Sequence, residues 1–198
     1  MRPEDVRLSI VIPTIGRPSL YKTLHSIYTG GISAADEIFV AGDGPRGAEA
    51  EIIVRAFSSR MPVSYLELPL RQTVGHSQRN HFMRIATGTN LMSIDDDDVY
   101  TPGSLTRVKH DIARFDGKIL IYKMKSMTRG KPFDLLWKEQ KILVGNIGTP
   151  MIVVPNDKAK LGMWGERYTG DFDFVESTVR NYGEQNVEWI DYILAEIY

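Results

Sequence analysis

The sequence predicts an α/β fold in which a mostly parallel central sheet carries helices on both faces. Three observations lead to this prediction. In the first hundred residues, short β-rich apolar runs alternate with stretches whose apolar residues recur at helical spacing. That alternation is typical of parallel strands joined by helices. Four consecutive aspartates, Asp95 to Asp98, directly follow one apolar run, and a length of 198 residues suits a single domain.

The first half of the chain contains four predicted strands separated by three predicted helices. The strands are LSIVIP (8–13), EIFVA (37–41), VSYLEL (63–68) and NLMSI (90–94). One helix begins after Pro18 and a second passes through Ile52 and Phe57. The third covers SQRNHFMRIAT, where Ser77 is a candidate N-cap.

The second half is less regular and is expected to add a mixed or antiparallel part. Helices are predicted from Pro102 and from Asp171 to Tyr182. Strands are predicted at KILIYKM (118–124), around LLWKEQKILVG (135–145), at PMIVVP (150–155) and at VEWI (187–190). The prolines that bound PMIVVP favour a short or edge strand. Because no repeat or linker is evident, we expect one domain over residues 1–198.

Composition excludes several classes of function. The 24 basic and 25 acidic residues give a net charge of −1, so the chain lacks the excess of positive charge typical of nucleic-acid binding. The absence of cysteine excludes disulfides and thiolate metal sites. The N-terminus is too acidic for a signal peptide, and no apolar run reaches the ~20 residues of a membrane span. We therefore expect a cytoplasmic protein.

The run of four aspartates is the strongest candidate site. A strand that ends at the carboxyl edge of a parallel sheet delivers its following residues to the edge where such sheets bind ligands. Adjacent carboxylates repel one another unless a cation or solvent relieves the repulsion, and hard oxygen ligands suit Mg²⁺ or Mn²⁺. A solvated turn is the alternative. An EF-hand beginning at Asp95 is excluded, because Tyr100 and Thr106 replace the glycine and glutamate that it requires.

Four segments, in this order and at these separations, resemble glycosyltransferase family 2: LSIVIPTIGRPSLYKTLHSI, DEIFVAGDG, VGHSQRN and ATGTNLMSIDDDDVYTPGSL. The resemblance covers about residues 8 to 110. It implies the GT-A, or nucleotide-diphospho-sugar transferase, fold, with a nucleotide-sugar-binding half at 1–100 and an acceptor-binding half at 101–198. The small size resembles that of soluble family members of bacteria and large DNA viruses. If the protein were viral, we would expect it to act in the cytoplasm of the host cell.

The resemblance also implies roles for particular residues. The expected donor-binding residues are Pro13, Thr14, Arg17, Asp43, Arg79, Asp95 and Asp96. Asp97, in the DXD-type acidic run, is the expected ligand of Mn²⁺ or Mg²⁺. The family usually has two acids before the glycine that follows the second strand, whereas this chain has Gly42 and Asp43. Recognition of the base therefore stays open, with a UDP-sugar as the first expectation.

A later acidic segment, TGDFDF (169–174), resembles the segment that supplies the catalytic base in that family. The resemblance implies that Asp171, or alternatively Asp173, is the base that deprotonates the acceptor hydroxyl, and that transfer inverts the anomeric carbon. The acceptor is expected to be a glycan or glycoconjugate. Trp164 is a candidate for stacking on its sugar ring, and filling the core is the alternative.

Other functions compete with glycosyl transfer. Gly42, Gly44 and Gly47 satisfy GxGxxG, and Glu67 lies 20 residues further on, as in an NAD-type site. Pro45 removes a backbone donor there, and such a site leaves the aspartates unexplained. A non-catalytic nucleotide-sugar or glycan-binding module is a second alternative. A sugar nucleotidyltransferase is a third, but it would need a glycine-rich basic loop after the first strand.

Overall fold

The computed structural model describes residues 1–45, 48–127, 133–135 and 139–198. The strands in this part are β1 Leu8–Thr14, β2 Glu37–Asp43, β3 Val63–Leu68, β4 Asn90–Ser93, β5 Val99–Tyr100, β6 Ile119–Ser126, β7 Phe133–Leu135, β8 Ile152–Pro155 and β9 Val187–Ile197. The helices are α1 Leu20–Gly30, α2 Ala48–Phe57, α3 His76–Ile85, α4 Ser104–Arg114 and α5 Gly170–Tyr182. All these strands join one sheet in the order β3-β2-β1-β4-β8-β6-β9-β5, and β7 pairs with β6.

The sheet has a parallel part and a mixed part. β1 pairs in parallel with β2 and β4, and β2 pairs in parallel with β3, as the alternating pattern predicts. In the second half, β8 runs antiparallel to both β4 and β6, β5 runs antiparallel to β9, and β6 and β9 are parallel. The predicted parallel sheet is therefore correct for the first hundred residues, and the expected mixed part follows it.

Strand β8 has four residues, so the short strand, one of the two alternatives for PMIVVP, is confirmed. The edge position is wrong, because β8 lies inside the sheet between β4 and β6. Its prolines do not interrupt the ladder. Pro150 lies in a 3₁₀ turn before the strand, and Pro155 is the last residue of the strand. A proline at either end removes no hydrogen bond from the middle of the ladder.

Two further expectations need correction. Of the strand predicted over 135–145, only Leu135 lies in a described strand, at the end of β7. Residues 139–141 form a bend and residues 144–146 a turn in which the φ of Gly145 is 78°. Residues 136–138 lie outside the described part. Ser77 does not cap α3, which begins at His76. Gly75 is at the N-cap position and offers no side-chain cap, and the Thr73 hydroxyl, two residues earlier, accepts a hydrogen bond from the Ser77 amide at 3.1 Å.

Helices cover both faces of the sheet, as predicted. On one face, α1, α2 and α4 pack on the side chains of Leu8, Ile10 and Ile12, which alternate along β1. On the other face, α3 and α5 cover the remaining side chains of the sheet. Each fully buried aliphatic side chain contributes roughly 1.5–3 kcal/mol relative to an exposed one. None of the helices described is long and apolar enough to span a bilayer.

Candidate active site

A cavity of about 450 Å³ lies at the carboxyl ends of β1, β2 and β4. We call it the first cavity. It is lined by Pro13, Thr14, Ile15, Arg17, Asp43, Leu70, Gln72, Val74, Gly75, Asp95, Asp96 and Asp97. Every predicted donor-binding residue except Arg79 lines it, and so does the predicted metal ligand. The structure therefore brings together residues that are more than 80 positions apart in the chain.

Asp96 is the buried member of the acidic run, with only 3% of its surface exposed. Its carboxylate accepts a hydrogen bond from the Thr14 hydroxyl at 2.6 Å and one from Arg17 at 3.1 Å. Burial raises the pKa of Asp96, and these two contacts oppose that rise. The end of β1 and the end of β4 are thus joined through this carboxylate.

Asp97 points into the first cavity and is partly exposed, and its carboxylate is 2.5 Å from the Arg17 guanidinium. No three or more acidic or histidine side chains converge to form a complete metal site among the residues described. Mg²⁺ and similar ions, however, are usually held by one or two carboxylates together with substrate phosphates. Because Asp97 offers hard oxygen donors beside open space, its position fits a divalent cation brought in with a diphosphate.

Arg79 lies beneath the acidic run and is only 1% exposed. Its guanidinium donates to the Ser93 hydroxyl at 2.8 Å and to the Val74 carbonyl at 3.0 Å, and it is paired with the carboxylate of Asp95. A buried guanidinium requires such partners, because an unpaired buried charge is strongly unfavourable. The structure therefore makes Arg79 a buried support of Asp95, although it lies on a helix.

Asp43, at the end of β2, organises the loop that follows β3. Its carboxylate oxygens accept hydrogen bonds from the backbone amides of Arg71 and Gln72, at 2.7 and 3.0 Å. Gln72 and Val74 both have positive φ angles, of 55° and 54°. A β-branched residue is rare in that region. Asp43 thus holds a strained loop against the first cavity, which it also lines.

A second cavity of about 370 Å³ adjoins the first and shares Val74 and Asp95 with it. The first turn of α5 brings Asp171 to this second cavity, which α3, β6 and β9 also line. The Asp171 carboxylate accepts a hydrogen bond from the Phe172 amide at 2.8 Å. Burial raises the pKa of Asp171 above its ordinary value of 3.8. Asp171 therefore shares a cavity with Asp95.

Asp173, the alternative base, is placed differently. Its carboxylate forms an ion pair with Arg167, with one contact at 2.8 Å, and does not line the second cavity. The hydrogen bond from Arg167 lowers the pKa of Asp173. A carboxylate already neutralised by a guanidinium is a weaker base. The geometry therefore favours Asp171 over Asp173.

Trp164 is in the core, the second of the two roles considered for it. Its side chain is 4% exposed and stacks on Phe174 at 4.7 Å and on His76 at 5.5 Å between ring centroids. The Arg79 guanidinium lies 4.8 Å from the same ring. The expectation that Trp164 contacts an acceptor sugar is wrong, because these neighbours cover the ring.

Three residues that line the second cavity received no individual role from the sequence: His76, Asp98 and Tyr168. Burial lowers the pKa of His76 to about 4 and raises that of Asp98 to about 8, with Arg79 and Asp95 respectively adding repulsion. Asp98 was visible as the last aspartate of the run. His76 and Tyr168 carried no signal, since a single histidine or tyrosine near a loop has many ordinary roles.

Known proteins match this chain in sequence and in structure. The model of the family described as glycosyl transferase family 2 matches residues 9–143. An uncharacterized glycosyltransferase of Bacillus subtilis (strain 168), YwdF, is 30% identical over 131 residues, which cover 63% of this chain and 47% of the relative. The chain thus spans about half the length of that curated relative.

Solved structures of S. aureus TarS have the same fold. One matches 96% of this chain and 36% of its own, with a TM-score of 0.76 and 17% identity. TarS 1–349 in complex with UDP matches 96% of this chain and 60% of its own (TM-score 0.75, 16% identity). The complex with UDP-GlcNAc matches 96% and 58% (TM-score 0.75, 15% identity). The fold is GT-A, and because the family model matches more than half of the chain, the chain belongs to glycosyltransferase family 2.

Proposed function

We propose that this protein transfers a hexosyl or deoxyhexosyl group from a UDP-sugar to a hydroxyl of a glycan or glycoconjugate, with inversion and with the help of a divalent cation. The observation that carries this proposal is the pair of adjoining cavities that share Asp95. The first collects the residues expected to bind the donor. The second contains Asp171, whose carboxylate forms no ion pair among the residues described, although the charge of Arg79 acts on it. A donor and an acceptor would therefore meet at Asp95.

The first cavity has the features that a nucleoside diphosphate requires. Pro13, Thr14 and Asp43 flank the side expected to receive the nucleoside, and Arg17 offers a guanidinium suited to phosphate oxygens. The TarS structures that share the fold were solved with UDP and with UDP-GlcNAc. These observations support a UDP-sugar as the donor.

Asp97 is the proposed cation ligand, with Mn²⁺ or Mg²⁺ as the cation. When bound, the cation would neutralise negative charge on the departing diphosphate. Arg17 now holds the Asp97 carboxylate at 2.5 Å and keeps it oriented toward the cavity. The same guanidinium is free to turn toward phosphate oxygens, because 45% of its side-chain surface is exposed.

The proposed chemistry is a single displacement. Asp171 accepts the proton of the acceptor hydroxyl while the acceptor oxygen forms a bond to the anomeric carbon of the donor. The bond between that carbon and the β-phosphate oxygen breaks, and UDP leaves with the electron pair. Burial suits Asp171 to this role, since a raised pKa makes its carboxylate a stronger base than an exposed aspartate.

Thermal unfolding with UDP and Mn²⁺ tests donor binding. A ligand that binds only the folded state at about 100 times its Kd stabilises by about 2.7 kcal/mol. For a chain of this size, that corresponds to a rise in Tm of roughly 5–10 °C. ADP, GDP and dTDP in parallel reveal the base preference. If no nucleoside diphosphate raised the Tm, with or without metal, the proposed donor site would be wrong.

Release of UDP from a panel of UDP-sugars, measured with and without glycan acceptors, then tests turnover. We expect release that depends on Mn²⁺ or Mg²⁺ and increases with a suitable acceptor. Binding of UDP without turnover of any sugar donor would instead support a non-catalytic nucleotide-sugar-binding module.

A further inference from the structure

The mouth of the second cavity carries exposed apolar side chains. Tyr168 is 87% exposed and Val144 is 59% exposed, and both line the cavity that contains Asp171. Among the residues described, the Tyr168 ring forms no ring contact and its hydroxyl forms no hydrogen bond. An aromatic ring that contributes nothing to the core, three residues before the proposed base, is available to a ligand.

Within the described lining, the second cavity has no free positive charge. The carboxylates of Asp95 and Asp171 face it, whereas burial raises the pKa of Asp98 to about 8 and keeps that side chain neutral at pH 7. Its basic residues are Arg79 and His76, and burial lowers the pKa of His76 to about 4, so His76 carries no charge at pH 7. The Arg79 guanidinium is already committed to Ser93, to the Val74 carbonyl and to Asp95. A phosphate or carboxylate on an acceptor needs basic donors to replace its water. In this cavity it would meet carboxylates instead.

Two other features could attract an anion, and both are compensated. The N-terminus of α5 points to the second cavity, but Asp171 and Asp173 occupy its first turn and already interact with the helix dipole. Arg167 neighbours Tyr168 in the chain, but its guanidinium is paired with Asp173. Neither feature offers an uncompensated positive charge.

We propose that the acceptor is an uncharged sugar whose ring packs on Tyr168 and whose hydroxyls bind the carboxylates of the second cavity. The apolar face of a sugar ring suits an exposed tyrosine, and sugar hydroxyls are donors that carboxylates accept. The inference rests on the proposed function, which it extends by naming the charge class of the acceptor and the side chain that contacts it.

The first experiment compares methyl glycosides with their 6-phosphate counterparts as acceptors, with UDP release as the readout. We expect at least one uncharged glycoside to accelerate UDP release and its 6-phosphate to do so at least tenfold less well. If phosphorylated sugars were equal or better, or if no uncharged sugar accelerated release, the inference would be overturned.

The second experiment replaces the ring. Tyr168→Ala should raise the KM for the uncharged acceptor by about tenfold and leave kcat within about twofold, while Tyr168→Phe should retain the wild-type KM. Tyr28→Ala is the matched control, because Tyr28 is a 46% exposed tyrosine that lines neither cavity. An unchanged KM in Tyr168→Ala would show that the ring does not contact the acceptor.

A measurement of donor binding distinguishes a failure of the proposed function from a failure of the acceptor inference. Stabilisation by UDP and Mn²⁺ should be the same in Tyr168→Ala and in the wild type, since Tyr168 does not line the first cavity. If UDP bound but the acceptor preference were reversed, only the acceptor inference would fail. If UDP did not bind the wild type, the proposed function would fail and the acceptor inference with it.

Discussion

The first cavity is lined by residues 13 to 97, from strand ends and the loops that follow them, whereas the second cavity draws on segments from residue 74 to residue 197. The first is therefore a product of the parallel βαβ part, in which each strand delivers its following residues to one edge. The second needs the mixed part of the sheet and the start of α5. The difference teaches that the proposed donor site and the proposed acceptor site depend on different parts of this fold.

Replacement of Asp171 should have the largest effect and should be confined to the second cavity. Because a positioned base contributes roughly 10²- to 10⁴-fold, Asp171→Asn is expected to reduce kcat by that factor. UDP-dependent stabilisation should be unchanged. Initial rates of transfer and thermal unfolding with UDP measure the two effects. Asp173→Asn is the control, and we expect less than a threefold loss of rate from it; a larger loss there than in Asp171→Asn would assign the base to Asp173.

Replacement of Asp97 should affect the first cavity instead. Asp97→Ala is expected to abolish the part of the UDP stabilisation that requires Mn²⁺, out of a total of about 2.7 kcal/mol at 100 times Kd. Thermal unfolding with UDP, with and without Mn²⁺, measures this part. Asp116→Ala serves as the control, because Asp116 is an exposed aspartate that lines neither cavity. A full Mn²⁺-dependent shift in Asp97→Ala would exclude Asp97 as the cation ligand.

The smallest expected effect is on the pH dependence of the free energy of unfolding, through His76 in the second cavity. Burial, with repulsion from Arg79, lowers the pKa of His76 from 6.5 to about 4, whereas the charges of Asp95 and Asp173 oppose this shift. Between pH 6.5 and pH 4 the unfolded chain therefore binds a proton at this position and the folded chain does not. The free energy of unfolding should fall as the pH falls through this window, by on the order of 2 kcal/mol.

His76→Gln should remove that part of the pH dependence, as measured by urea unfolding at pH 7 and pH 4.5. His25→Gln is the matched control, since His25 is exposed on α1. An identical pH dependence in His76→Gln and in the wild type would show that His76 titrates normally in the folded protein.

The first cavity was largely predictable from the sequence, and the second cavity was not. A strand followed by a loop has a defined direction in a parallel sheet, so the positions of Thr14, Asp43 and Asp95 at one edge follow from the order of the elements. The interior position of β8 does not follow from the order of the elements. It depends on which strand of the sheet the chain pairs with after it leaves β6 and β7. The prolines that bound PMIVVP favoured a short or edge strand, but a proline at the end of a strand is compatible with an interior position as well.

Trp164 shows the same limit for a side chain. It lies in an irregular segment without periodicity, so no pattern could distinguish a ring that contacts a ligand from a ring that fills the core. The structure resolves the question through its neighbours Phe174 and His76. Tyr168, four residues later, is an exposed aromatic residue. The exposed fraction of the side chain, which the sequence does not give, distinguishes it from Trp164.

The pairing of the aspartates with Arg17 and Arg79 has a consequence for handling the protein. These guanidinium groups supply internal counter-ions to Asp95, Asp96 and Asp97, so repulsion within the run is relieved by the chain itself. Domains that are built around a structural ion unfold when a chelator removes it. Here, treatment with EDTA should leave the circular dichroism spectrum and the Tm of the ligand-free protein unchanged, and purification should require no added metal.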